Sequence, residues 1–212
     1  MITEDRLEQA REAYERAVYG GDPGPLTDAE RALDALEADT ALARGKIRHA
    51  RFQSGDGPAA EDPAELPLFE RALELYRALN DARGEAEALF WIGCVHQFIR
   101  RDNETATPYL ELAAEAGDKH TRSEALRHLG IAAHAAGRLD EARQYLEESS
   151  RLRRETGSLA GVASNMVGLA YIAAAQDRRP DALAILDEAQ AIARDHGAHA
   201  ITRHLEQARS RI

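Results

Sequence analysis

The sequence predicts an all-α fold, an α-solenoid of antiparallel helix pairs arranged in series. Three observations lead to this prediction: a composition suited to helices, an internal period of about 40 residues, and apolar residues at helical spacing. Hydrophobic residues make up 44% of the 212 residues and aromatic residues only 5%, and much of the hydrophobic share is alanine. Alanine favours closely packed helices, whereas sheets are enriched in β-branched and aromatic residues.

The clearest helix pair runs from Ser123 to Arg154 and has one apolar stripe on each side of a turn at Gly137. Its two stripes are Leu126, Leu129, Gly130 and Ala133, then Leu139, Ala142, Leu146 and Ser149. Gly130 and Ala142 are small where two antiparallel helices must approach closely, and Leu146 fills the space beside them. This segment therefore predicts a helix, a turn and a second helix.

These residues resemble the tetratricopeptide repeat. Leu129 and Gly130 fall where that family has a Leu-Gly pair, and residues 137–142 resemble its turn and second-helix start. Leu126 stands at the family's tryptophan position, and the family's terminal proline is missing. The resemblance, closest to extended repeats in bacterial regulatory and signalling scaffolds, implies a right-handed superhelix that binds a partner on its concave face without catalysis.

The period is read from residues that recur in phase along the chain. The large residue of each second helix falls at Ala29, Phe69, Tyr109, Leu146 and Leu186, at separations of 40, 40, 37 and 40 by subtraction. The small residues of the first helices follow at Gly45, Gly93, Gly130 and Ala170. We therefore expect a single domain, 1–212, with repeats at about 3–37, 38–80, 83–117, 121–156 and 159–196. This period exceeds the roughly 34 residues of the standard repeat.

Turn and capping signals agree with this division. Glycine and proline mark loops at 20–25 and 55–58, and Pro67 moves the start of the following helix to about Leu66. Two pairs have the spacing of capping boxes, Thr27 with Glu30 and Thr121 with Glu124.

The last segment, 198–212, predicts an eleventh helix. Ile201, Leu205 and Ala208 recur there at helical spacing among charged residues. Such a helix suits the cap that a solenoid needs over its final open apolar face.

Charge and composition narrow the classes of partner. A formal net charge of −10 disfavours binding to nucleic acid phosphates and to anionic lipid surfaces. No apolar run reaches the roughly 18 residues that span a bilayer, and the first residues lack the basic and apolar segments of a signal peptide. With one cysteine, Cys94, there is no internal disulfide, so we expect a cytoplasmic protein that binds neither membrane nor nucleic acid.

No motif for catalysis or for a cofactor stands out. Residues 20–24 lack the spacing and the lysine of a phosphate-binding loop, and Cys94 lies in an apolar helical stretch where a thiol behaves as a small hydrophobe. His199 and His204 are five residues apart and diverge around a helix, and His196 is separated from them by Gly197. We expect no enzyme activity, no cofactor and no metal site.

The candidate binding residues come from stacking equivalent positions of successive first helices, which line the inner curve in solenoids of this type. Counted from the small residue of each repeat, these positions give a mixed polar and aromatic surface: Lys46, His49, Phe90, Gln97, Arg127, His134 and Tyr171. His128 is added because the resemblance puts it where the carboxylate-binding class of the family often has Asn or Arg. Ordinary exposed polarity on a helix is the competing interpretation of these columns.

The function expected from these patterns is an interaction module for a protein or peptide. The alternative is a receptor for a small molecule or a signalling peptide, which would favour a closed, apolar pocket over an open groove. A weak homodimer through the ends of the solenoid is also expected, because Leu7, Ala10, Tyr14 and Val18 form an apolar side of the first helix.

Overall fold

The computed structural model describes residues 3–54 and 61–212. These residues form ten α-helices and one π-helical turn, with no strand among them, and consecutive helices within each part of the chain pack against one another. The predicted all-α helical-repeat fold is confirmed. The expected loop at 55–58 lies outside the described residues.

The chain divides into two compact units, Met1–Asp102 and Asn103–Ile212. Unit 1 contains α1 to α4, and a π-helical turn, Val95–Ile99, continues α4. The bounds of its helices are α1 Thr3–Gly20, α2 Leu26–Ser54, α3 Glu65–Leu79 and α4 Ala82–Cys94. The predicted third repeat, 83–117, has its first helix in unit 1 and its second in unit 2.

Unit 2 contains α5 to α10, and each helix packs on the next. Their bounds are α5 Asn103–Ala116, α6 Lys119–Ala135, α7 Leu139–Glu155, α8 Leu159–Ala175, α9 Arg179–Asp195 and α10 His199–Arg211. In addition, α8 contacts both α6 and α10, so the first helices of successive pairs are neighbours.

The turns of unit 2 recur every 20 residues in one geometry. Gly137, Gly157, Asp177 and Gly197 all have positive φ, between 57° and 75°. At each turn the following residue donates its N–H to the carbonyl five residues before it, as from Arg138 to Ala133 at 2.9 Å. This pairing closes the helix C-terminus, and glycine is favoured there because it has no Cβ. The expected 40-residue period is therefore two equal steps of 20.

Helix α2 differs from the expected division. The boundary between the first two repeats, at residues 37 and 38, falls inside this continuous helix of 29 residues. The stretch from Leu26 to Arg44 is rich in alanine and has neither glycine nor proline, so nothing in it ends a helix. The count is consequently ten α-helices in the described residues rather than the eleven expected.

The small residues expected at close helix contacts are all buried, at Gly45, Gly93, Gly130 and Ala170. Among the large residues, Phe69, Leu146 and Leu186 are at most 2% exposed. In α5, however, Tyr109 is only half-buried and its neighbour Leu110 is fully buried, so the expected register is wrong there by one residue.

Two expectations about helix ends have different outcomes. The terminal helix α10 is present, and its Leu205 and Ala208 join the buried cluster formed by α8 and α9. Helix α6 is not capped by Thr121: the carboxylate of Asp118 accepts a hydrogen bond from the Thr121 N–H at 2.9 Å. An aspartate one turn earlier thus does the work assigned to the threonine.

Candidate binding site

Unit 2 contains a cavity of about 310 Å³ between the first helices α6, α8 and α10. Four residues of α6 and four of α8 line it at the spacing i, i+3, i+4, i+7, which is one face of a helix. Helix α7 contributes Leu146, and the terminal helix α10 contributes His204 and Gln207.

The walls of the cavity are largely apolar. Leu146 is buried between two glycines, because a Cβ on Gly130 would lie 2.9 Å from its Cγ and a Cβ on Gly168 2.7 Å from its Cδ1. Larger residues at these two positions would displace the leucine. The apolar lining consists of Gly130, Ile131, Leu146, Val167, Gly168 and Tyr171.

The polar part of the lining holds hydrogen-bond donors and no carboxylate. One side chain is a permanent cation, Arg127, which is half-buried. The other polar residues that line the cavity are His134, Ser164, His204 and Gln207. An apolar cavity with a few convergent polar groups is the usual form of a ligand site.

Buried hydrogen bonds hold the helices behind this cavity in place. The Asn165 amide on α8 donates to Ser149 Oγ at 2.9 Å and to Ser150 Oγ at 3.0 Å, both on α7. Ser149 Oγ in turn donates to the Ser123 carbonyl on α6 at 2.6 Å. This chain of bonds joins all three helices through groups that water does not reach.

An ion pair reinforces the same seam. Arg153 on α7 is 3% exposed and lies 2.6 Å from the Glu124 carboxylate on α6. Its Nη1 also donates to the Gly161 carbonyl on α8 at 2.7 Å. Burial lowers the pKa of Arg153, Glu124 opposes that shift, and the nearby charge of Arg127 adds to it. The guanidinium groups of Arg127 and Arg153 therefore lie close enough to affect each other's charge.

A protein-family model described as tetratricopeptide repeat matches residues 121–195, which covers α7, α8, α9 and nearly all of α6. Residues 121–195 therefore contain tetratricopeptide repeats. No curated protein sequence matches it. The matched repeats supply every residue that lines the cavity except His204 and Gln207.

Three of the residues expected from the repeat columns lie at this one cavity. They are Arg127, His134 and Tyr171, contributed by the first helices α6 and α8. His128 is also on α6, but it is buried and does not line the cavity. The columns thus identify one shared surface within unit 2.

The four expected residues of unit 1 have other surroundings. Lys46 lies 2.8 Å from the Glu87 carboxylate and 5.7 Å from the centre of the Trp91 ring. His49 is 2% exposed, and its Nδ1 lies 2.7 Å from the fully buried Glu65 carboxylate. Phe90 and Gln97 are buried as well. His49, Phe90 and Gln97 are therefore buried rather than on an open surface.

A second, more open cavity of about 520 Å³ borders Lys46 in unit 1. Three carboxylates line it, Asp39, Asp81 and Glu87, together with the cations Lys46 and Arg83. Asp39 already accepts a hydrogen bond from the Tyr76 hydroxyl at 2.9 Å, and Glu87 accepts one from Lys46. With three carboxylates against two cations, the lining has only a small net charge to select a ligand.

The described parts of the chain have neither a metal site nor a helix that could span a membrane. Residues 3–54 and 61–212 have no group of three His, Cys, Asp or Glu side chains placed to hold a metal ion. The Cys94 thiol is buried. Over these same ranges, no helix has the length and apolar character needed to cross a bilayer.

His204 and Gln207 close one side of the cavity, but they are not among the equivalent positions of the first helices that the sequence analysis selects. Both are exposed residues of α10, a helix interpreted only as a cap. The period itself could have found them, because they stand 40 residues after Ser164 and Val167 by subtraction. Extending the column of Arg127 and Val167 by one more step would have reached Gln207.

Proposed function

We propose that this protein is a non-catalytic interaction module that binds a protein or peptide partner at the cavity of unit 2. Tetratricopeptide repeats are in general protein interaction modules, and the family assignment supports that class. The observation that carries the proposal is that Arg127, His134 and Tyr171 line one cavity with an apolar floor. Such a site can bury an apolar side chain of the partner and bond its polar groups.

A double charge reversal tests the site. Arg127→Glu with His134→Glu adds two carboxylates to the cavity, and we expect captured partners to be lost while the helical circular dichroism is unchanged. The matched control is Arg154→Glu with His196→Glu, which makes the same substitutions at exposed positions outside the cavity. Partners from a native lysate count only if the control retains them, and unchanged capture by the first variant would contradict the proposal.

A second candidate function is a receptor for a small molecule or signalling peptide. The observation that favours it is the volume of about 310 Å³, enclosed on three sides by α6, α8 and α10. That volume is at the lower end of the range for small-molecule sites. A thermal-shift screen of metabolites tests this candidate, and a ligand of this kind should raise the unfolding temperature further as its concentration is raised.

We further propose a cytoplasmic location and a role as a regulatory scaffold of the bacterial type. The sequence has a single cysteine, Cys94, and so no disulfide within the chain, which fits a reducing compartment. The 40-residue period supports the extended-repeat class that the sequence resembles. Fractionation of native cells with antibody detection tests the location.

Self-association through α1 is the last part of the proposal. Leu7, Tyr14 and Val18 are each more than half exposed and share one side of this helix, while the smaller Ala13 faces α2. A second copy of the chain is the occupant we propose for this surface. If two α1 helices pack antiparallel with Leu7 opposite Val18, Arg11 comes opposite the Tyr14 ring, a favourable cation–π pair.

A further inference from the structure

Three buried side-chain atoms in the described parts of the chain have no hydrogen-bond partner among the protein atoms. One of them, Glu65 Oε2, belongs to unit 1. The other two, Arg153 Nε and Asn165 Oδ1, belong to the seam of α6, α7 and α8 in unit 2. Buried polar atoms are nearly always hydrogen-bonded, because an unpaired one loses its bonds to water and gains none in return. The seam therefore holds one donor and one acceptor that the protein itself does not pair.

The hydrogen bonds around Asn165 determine which way its amide faces. Ser149 Oγ donates its one hydrogen to the Ser123 carbonyl at 2.6 Å. Ser150 Oγ likewise donates its hydrogen to the Leu146 carbonyl at 2.7 Å. Both hydroxyls can then only accept, and the amide N–H groups of Asn165 supply these bonds at 2.9 and 3.0 Å. The reversed amide would place its oxygen against two hydroxyls with no hydrogen left to donate, so Oδ1 faces away from the serines and needs another donor.

Arg153 carries the complementary donor. Its Nη1 donates to the Gly161 carbonyl at 2.7 Å, and its Nη2 lies 2.6 Å from Glu124 Oε2. A Cβ on Gly161 would lie 2.7 Å from Nη1, so the guanidinium packs directly on α8. Because the guanidinium is planar, these contacts also determine the direction of its Nε–H, which has no acceptor in the protein.

The two side chains are bonded one helical turn apart along the seam of α7 and α8. Gly161, which accepts from Arg153, stands four residues before Asn165 on α8. Ser149, which accepts from Asn165, stands four residues before Arg153 on α7. Four residues of an α-helix rise about 6 Å. Two hydrogen bonds of about 2.9 Å each, made by one small molecule, span that separation.

We propose that one ordered water molecule accepts a hydrogen bond from Arg153 Nε–H and donates one to Asn165 Oδ1. An anion would meet the lone pairs of the amide oxygen, and a cation would meet the guanidinium, so the ligand must be neutral and both accept and donate. Both residues are at most 3% exposed, which leaves room only for a very small molecule. A water with such partners is a fixed part of a protein interior.

The water joins the wall of the cavity to the helix behind it. Ser164, Val167 and Gly168, which flank Asn165 on α8, line the cavity of unit 2. A bridge from Asn165 to Arg153 therefore ties this wall to α7 and, through Glu124, to α6. This water site is independent of the function proposed above, because it lies behind the cavity and not in it.

A crystal structure of the full-length protein, at a resolution that shows ordered waters, tests the site directly. We expect a water oxygen about 2.7 to 3.2 Å from both Arg153 Nε and Asn165 Oδ1. A direct bond from Arg153 Nε–H to a protein acceptor would overturn the inference, and so would a dry contact between the two side chains.

Two substitutions test the bridge in solution by thermal unfolding. Arg153→Lys keeps the positive charge but has a methylene group in place of Nε, and Asn165→Leu removes Oδ1 with little change in volume. Each should lower the midpoint of unfolding. The double variant should lose at least about 2 °C less than the sum of the two losses, because the second substitution finds the bridge already broken.

The matched control combines Asn165→Leu with Arg151→Lys, the same substitution at an exposed arginine of α7. Here the two losses should add. Additive losses for Arg153→Lys with Asn165→Leu would contradict the bridge, as would equal coupling in the control pair. If a variant does not fold, the crystal structure of the parent protein decides.

Discussion

A single hydrogen atom at Gly45 sets how closely α2 approaches α3. A Cβ at this position would lie 2.5 Å from Phe69 Cε1, and Phe69 is fully buried. Because the ring also stacks on Trp91 at 5.8 Å between centroids, it has no free space into which to move. A glycine inside a helix is normally unfavourable, and here close packing explains it.

We predict that Gly45→Ala lowers the free energy of unfolding by about 1 to 3 kcal/mol, the usual cost of overpacking. Urea denaturation followed by circular dichroism measures the change. The control is Gly20→Ala at the end of α1, where an added Cβ meets nothing within 4 Å. Adding Phe69→Leu to Gly45→Ala should recover part of the loss, and equal effects of Gly45→Ala and Gly20→Ala would contradict this explanation.

The residues of the candidate site are harder to predict from the sequence than the helices are. The spacing of Arg127, His134 and Tyr171 was sufficient to select three residues of one cavity. The same procedure selected His49, which is buried because Glu65, 16 residues along the chain, provides a carboxylate at 2.7 Å. Periodicity specifies the face of a helix but not the partner that a later helix brings to it.

At the scale of elements, the turns explain why the helices of unit 2 were predictable. Two residues after each helix from α6 to α9 comes a residue with positive φ, and three of these four residues are glycine. Glycine at such a position is a strong local signal for the end of a helix, and the sequence accordingly predicts a turn at Gly137. Helix α2 has no such signal before Gly45, so no residue marks the expected boundary between residues 37 and 38.

The fourth turn yields a prediction, because Asp177 adopts φ 57° where the other three have glycine. A non-glycine residue in the left-handed region costs about 1 kcal/mol or more. We expect Asp177→Gly to leave the midpoint of thermal unfolding unchanged or to raise it. The reciprocal change, Gly157→Ala, should lower the free energy of unfolding by about 1 kcal/mol. Differential scanning calorimetry distinguishes the two, and a loss of stability in Asp177→Gly would refute the role given to this turn.

At the scale of the whole molecule, the exposed side of α1 makes the oligomeric state testable. We predict a dimer that dissociates on dilution. The proposed interface consists of one face of one helix, with Leu7, Tyr14 and Val18, and so small a buried area gives weak association. Light scattering over a concentration series measures it. Tyr14→Glu should give a monomer, because it would bury a carboxylate against apolar side chains.

The matched control for the dimer is Tyr19→Glu, which alters the most exposed tyrosine of α1 on a different side of the helix. This variant should dimerise as the parent protein does. A parent protein that remains monomeric at hundreds of micromolar would contradict the proposed interface, as would equal loss of the dimer in both variants.

The equal 20-residue steps of unit 2 also bear on how such a chain can lengthen. Copying residues 159–198 and inserting the copy after Ala198 would join one turn to the next helix start without a new loop sequence, so duplication in the gene preserves the architecture. The cation of the cavity would not be copied with it. Val167 stands 40 residues after Arg127, so a duplicated cavity would have valine where the first cavity has its arginine. Such a duplication would therefore add a helix pair but no second cation.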